Sequence, residues 1–169
     1  MLDVGRLQFA FVEVAVLGQR LRQYWLDTGV QVLPGVSLQQ LDAFEKRHGV
    51  LLPPDVRDYF STVDGMPDCE SDGDFISFWE LARLEPVRND LNTRLRAPVG
   101  ARYFYFADWS IDAHRYAILL SRTPGEATTV VSTGVASGGG VCAPGFRQFV
   151  DLYLQPTVGE FSSAVLGPR

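Results

Sequence analysis

Lysine is nearly missing from this chain of 169 residues: Lys46 stands alone, and arginine supplies the rest of the 15 basic side chains. With a formal charge of −5 there is no basic tract of the kind that phosphate contacts need, which argues against nucleic acid as a partner. Cysteine is also scarce. Cys69 and Cys142 cannot make a disulfide framework, and both read as small buried hydrophobes in a reducing compartment. There are two histidines, His48 and His114, too few for a histidine-built metal centre. No apolar run approaches the ~20 residues of a membrane span. Leu7 to Leu17 looks superficially like a signal-peptide core, but Glu13 interrupts it, Asp3 opposes Arg6, and no small-residue cleavage site follows. The expectation is a cytoplasmic protein with no membrane contact.

Basic residues are absent altogether between Arg57 and Arg83. That window holds Asp58, Asp64, Asp68, Glu70, Asp72, Asp74 and Glu80, seven of the chain's 20 acidic residues. The remaining thirteen share the rest of the chain with all 15 basic residues, so the excess acidity comes from one stretch.

The periodicity changes along the chain. A helix is expected over about 7–26, with Phe9, Val12, Val16 and Tyr24 as its apolar positions, interrupted by Gly18. Ser37-Leu38-Gln39-Gln40 is a capping-box start, followed by Leu41, Phe44 and Glu45 and closed by Gly49. Pro53 and Pro54 open another helix with Val56, Tyr59, Phe60 and Val63 on one face, ended by Asp64-Gly65. Strands are expected at 75–79, 102–107, 115–120 and 128–132, where aromatic and β-branched residues gather. The stretch 84–100 is irregular, and Ser137 to Gly140 is a flexible break. Phe146, Phe149, Val150, Tyr153 and Leu154 form a closing helix that Pro156 stops. Helices, then strands, then one helix define an α+β fold with a largely antiparallel sheet. It forms one domain over 1–169, with a core at about 37–155, an added N-terminal helix and a loosely held tail from 156. The expected core joins Leu41, Phe44, Tyr59, Phe60, Trp79, Phe104, Phe106, Tyr116, Ile118, Phe149 and Tyr153.

Two constellations could carry chemistry. Asp108, Asp112 and His114 are close enough in sequence for a metal or acid–base site, or equally for a polar loop between two strands. Asp68, Glu70, Asp72 and Asp74 with Gly73 nearly spell a calcium loop, but its twelfth position is Trp79 where a bidentate Glu is required. Glu80 comes one residue late, and a strand follows where the calcium motif has a helix. The bland reading of these acids is an exposed, solvated loop, and the functional one is a protein-binding surface. Phosphate-loop and nucleophile-elbow patterns are absent, and Cys142 has no recognisable His partner. His48, on the last turn of its helix, reads as structural.

From Ser37 onward the order of pieces resembles the SUKH superfamily of fungal cell-wall assembly regulators and bacterial immunity proteins. The pieces are Phe44-Glu45, Leu52-Pro53, Tyr59-Phe60, Asp64-Gly65, Phe75 to Trp79, Phe104-Tyr105-Phe106-Ala107-Asp108 with Tyr116-Ala117-Ile118, and Gly145-Phe146 to Tyr153-Leu154. They span about 120 of the 169 residues. The family usually has Asn at the position of Asp64, and the N-terminal helix and the excursion at 85–100 are additions. The resemblance implies a binding domain without catalysis or cofactor, and in particular an immunity protein that neutralises a nuclease-type toxin. A regulatory or scaffold domain with a housekeeping partner is the alternative. On either reading the partner is a protein, and a basic toxin domain would complement the acidic window. The candidate contact residues are Asp64, Asp68, Glu70, Asp72, Asp74, Asp108, Trp109 and Asp112. From a different class, a metal-dependent enzyme or sensor would use Asp108, Asp112 and His114.

Overall fold

A computed structural model describes residues 16–88, 95–133 and 140–155. Residues 1–15, with the first part of the expected N-terminal helix, 89–94 within the expected excursion, 134–139, with all of the expected break but Gly140, and the tail from 156 lie outside them.

Helix α1 is Leu17–Asp27, and its buried residues are Leu17, Gly18, Leu21 and Trp25. This differs from the expected face: Val16 is exposed and Tyr24 only half-buried. The reason is close helix packing. A Cβ on Gly18 would lie 2.7 Å from Thr62 Cβ and 2.8 Å from the Asp58 carbonyl oxygen, so only glycine lets α1 reach the next helical layer. The Gly18 N–H donates to Asp58 Oδ2 at 2.8 Å.

Helix α2, Leu38–His48, starts at the expected capping box and ends at Gly49 in the left-handed conformation. His48 packs against Phe44 and Phe104, with centroid distances of 4.5 and 5.2 Å. Burial first, then Arg47 and Arg102, hold its pKa below the ordinary histidine value. Its role is packing between these two rings. Helix α3, Pro54–Thr62, buries Val56, Tyr59 and Phe60, and Val63 beyond it. Glu45 secures the approach to α3: its Oε1 accepts from the Leu52 N–H at 2.7 Å and meets Arg57 Nη1 at 2.9 Å.

The sheet is antiparallel in the order β1-β3-β4-β5-β6. Its strands are β1 Ile76–Phe78, β3 Ala101–Trp109, β4 His114–Ser121, β5 Val130–Ser132 and β6 Gly140–Ala143. A two-residue strand β2, Glu85–Pro86, pairs farther along the same edge of β3 as β1. Neither β2 nor β6 was expected. Helix α4, Phe146–Tyr153, packs Phe146, Phe149, Val150 and Tyr153 onto the sheet.

All eleven expected core residues are buried in one cluster on the helix-covered face. On the other face Val87, Tyr103, Ala117, Leu119 and Val131 are buried together, with Leu95 and Ala97 packed against them. An irregularity between Tyr105 and Ala107 leaves Phe106 and Ala107 both in the main core and reverses the alternation beyond it. No helix among the described residues is long and apolar enough to cross a membrane.

Candidate functional site

The acidic window folds as two different things. Asp64 and Asp72, expected on an exposed loop, are 8% and 7% exposed. Asp64 Oδ1 accepts from the Leu81 N–H at 2.7 Å, at the start of the 3₁₀ turn Leu81–Arg83. Burial, reinforced by Glu80 and opposed by the Leu81 hydrogen bond, raises the Asp64 pKa to about 6. Beside it Gly65 has φ 72° and a Cβ there would lie 2.6 Å from the Phe78 carbonyl oxygen, so this Asp-Gly turn is fixed against β1.

Asp72 turns inward. Its Oδ1 accepts from the Asp74 and Ile76 N–H groups, both at 2.9 Å, and its Oδ2 accepts from Tyr153 Oη at 2.5 Å. Tyr153 Oη in turn accepts from Trp25 Nε1 at 2.8 Å. Three distant segments, α1, α4 and the acidic loop, thus meet in one buried hydrogen-bonded chain. Burial raises the Asp72 pKa, against the lowering by these three hydrogen bonds. The outer side of β1 is capped by the same loop, because Asp72 N–H donates to the Ile76 carbonyl at 3.0 Å and Met66 N–H to that of Phe78 at 2.9 Å. Asp68 remains exposed, and Glu70 and Asp74 partly so.

The second candidate group is likewise dispersed. Asp108 is 5% exposed, with Oδ2 held by Trp79 Nε1 at 2.6 Å and Oδ1 by the Asp112 N–H at 3.2 Å. Trp109 is half-buried against the core and donates through Nε1 to the Asp74 carbonyl at 3.0 Å, so it pins the acidic loop. Register pairs Asp108 with Arg115 and Trp109 with His114, which places Asp108 and His114 on opposite faces of the β3–β4 hairpin. Asp112 Oδ1 is bridged by Arg115 Nε at 3.0 Å. Among the described residues no three His, Cys, Asp or Glu side chains are placed to hold a metal ion, the calcium-like stretch included. Cys142 is no ready nucleophile: burial pushes its thiol up to about 12, with a hydrogen bond from Ser132 opposing.

What remains is a cleft of about 340 Å³ that opens beside β1 and the β3–β4 turn. Four carboxylates line it, Asp68, Glu70, Asp108 and Asp112, against one guanidinium, that of Arg83. Phe75 and Ile111 line it too, 64% and 96% exposed. Sequence reading passes over both: Phe75 is expected to open a strand, and Ile111 lies unremarked in the polar loop between Asp108 and His114. Neither is ordinary, because Phe75 has φ 63° and the run Ser110, Ile111, Asp112 has φ 52°, 53° and 65°. Cys69, also at the cleft, has φ 64°. Left-handed backbone costs a non-glycine residue roughly 1–2 kcal/mol, more so for a bulky side chain. The Ser110 N–H donates to the Phe75 carbonyl at 2.9 Å, which ties the two strained turns together. Arg83 from the cleft wall and Arg115 from outside it lie over the Trp79 ring at 4.2 and 5.5 Å.

A larger hollow of about 520 Å³ lies between the starts of α3 and α4 and the β4–β5 turn. Its polar centre is already satisfied. Asp55, in the first turn of α3, accepts from the N–H groups of Val56, at 3.0 Å, and of Arg147 in the first turn of α4, and Thr128 Oγ1 accepts from the Phe146 N–H at 3.0 Å.

No protein-family model matches the chain, and no curated protein proves similar to it in sequence.

Proposed function

We propose that this chain is a non-catalytic protein-binding domain whose partner is basic, and specifically an immunity protein that neutralises a nuclease-type toxin. The observation that carries the reading is the pairing of exposed Phe75 and Ile111 with an acidic rim, on two adjoining turns whose backbone is held in a costly conformation. Strain of this kind persists where the surrounding structure enforces it, and it gathers at binding surfaces. Burying each of these two side chains against a partner is worth about 1.5–3 kcal/mol at most. The carboxylates around them favour a basic surface and fix its register more than they add affinity. The SUKH resemblance supplies the toxin-neutralising part of the reading.

Co-expression with the product of the adjacent gene, followed by calorimetry, tests it. A stable complex is expected, with loss of the partner's nuclease activity. The triple variant Asp68→Asn, Glu70→Gln, Asp74→Asn should associate more slowly and with a flatter dependence on ionic strength, with folding stability within ~0.5 kcal/mol of the parent. Asp72 is left intact, since its carboxylate belongs to the fold. No complex, or a complex whose association ignores these charges, would overturn the reading.

A further inference from the structure

We infer that the cleft between Phe75 and Ile111 receives one arginine side chain of a protein partner, a step that rests on the protein-binding reading above. The apolar residues stand at the mouth, while Ser77 and Asp108, 8% and 5% exposed, belong to its polar interior. At about 340 Å³ the cleft sits at the low end of the ~300–1,000 Å³ common for small-molecule sites, and it opens to solvent. Those proportions suit a single inserted side chain.

An arginine satisfies each wall in turn. Its methylene stem covers Ile111, its planar guanidinium stacks on the Phe75 ring, and its fork donates to carboxylates. Charge complementarity fixes the sign: four carboxylates face one arginine. Three of the four are engaged already: Asp68 with Arg83 at 3.4 Å, Asp112 with Arg115 at 3.0 Å, and the buried Asp108 with Trp79 Nε1 and the Asp112 N–H. Glu70 makes no ion pair among the described residues and is the carboxylate placed to take the incoming head group. Lysine would fit less well, because it neither stacks as a plane nor donates bidentately.

The probe is the capped tripeptide acetyl-Gly-Arg-Gly-amide at millimolar concentration, followed by amide chemical shifts of the full chain. Shifts confined to Phe75, Ser110, Ile111, Asp112 and Glu70 are expected. They should fall sharply with the citrulline counterpart, which keeps the shape and loses the charge. Phe75→Ser with Ile111→Ser, both exposed and so compatible with folding, should abolish them, and Glu70→Gln should weaken them independently. Shifts that are absent, scattered over the acidic surface, equal with citrulline, or unchanged in these variants would overturn the inference. Against the adjacent gene product, the double serine variant should bind at least about tenfold more weakly. Unchanged affinity there would remove the arginine cleft and leave the protein-binding reading standing. Peptide shifts in the cleft with no complex would do the reverse.

Discussion

Replacing Asp64 by Asn should stabilise the protein near neutral pH and do so much less in mild acid. Asp64 is 8% exposed, and its single hydrogen bond, from the Leu81 N–H, does not offset the burial of its charge. The folded state therefore holds the carboxyl proton up to about pH 6, against an ordinary value of 3.8. A carboxyl whose pKa is raised on folding makes the folded state bind more protons than the unfolded one. Its contribution is full below pH ~4 and is lost as pH rises through ~6. At 1.36 kcal/mol per unit, a rise from 3.8 to about 6 gives at most about 3 kcal/mol. Asn keeps the acceptor oxygen for Leu81 and removes the titration, so the variant should gain about 1–3 kcal/mol near pH 7.5, roughly a third of that near pH 4.5, and close to nothing near pH 3. Urea unfolding of both proteins at several pH values, followed by tryptophan fluorescence, gives the difference directly. A stability difference that does not change between ~pH 4.5 and ~pH 7.5 would refute the reasoning, because the titrating group would then lie elsewhere.

Tyr153→Phe removes the middle of the Trp25–Tyr153–Asp72 chain and strands Trp25 Nε1 in the core. Equilibrium unfolding should show a loss of about 1–3 kcal/mol, and a neutral result would mean that the chain is unimportant to stability. Gly18→Ala forces a methyl group into Thr62 and the Asp58 carbonyl oxygen, and α1 must shift off α3. The expected loss is about 1–3 kcal/mol despite alanine's better helix propensity, and a gain would show that α1 does not pack as described.

How much of this was legible depends on where the partner of each residue lies. The core faces of α3 and α4 were readable because each carries one apolar stripe at helical spacing, Val56-Tyr59-Phe60 and Phe146-Phe149-Val150-Tyr153. In α1 two neighbouring stripes compete, Val16 with Tyr24 and Leu17 with Leu21 and Trp25. The choice between them is made by the contact of Gly18 with α3, about 40 residues away in sequence. Strand β6 follows a glycine run that signals a break, and only pairing with β5 extends it. Charge counting treated every acid of the window alike. It could not see that Asp72 reaches Tyr153, 81 residues on, or that Asp64 serves a backbone N–H beyond β1. Ile111 did leave a signal. A bare β-branched residue in the short turn between β3 and β4 contradicts turn chemistry, which favours Gly, Asn or Asp there. Such a conflict between local preference and global fold points to function more directly than any of the charges did.

That conflict makes a demand of its own. Ile111 has φ 53° and is 96% exposed, so its side chain gains almost nothing from the fold it strains. Asn tolerates the left-handed conformation and avoids the extra unfolded-state freedom that Gly would add. Ile111→Asn should therefore raise stability by about 0.5–1 kcal/mol while weakening the proposed partner contact, the opposed pair of effects expected where strain is retained for binding. Thermal unfolding and partner titration on the one variant measure both. Stability lost with the isoleucine would mean that Ile111 packs within the chain, and stability gained with affinity intact would mean that its exposure serves no contact.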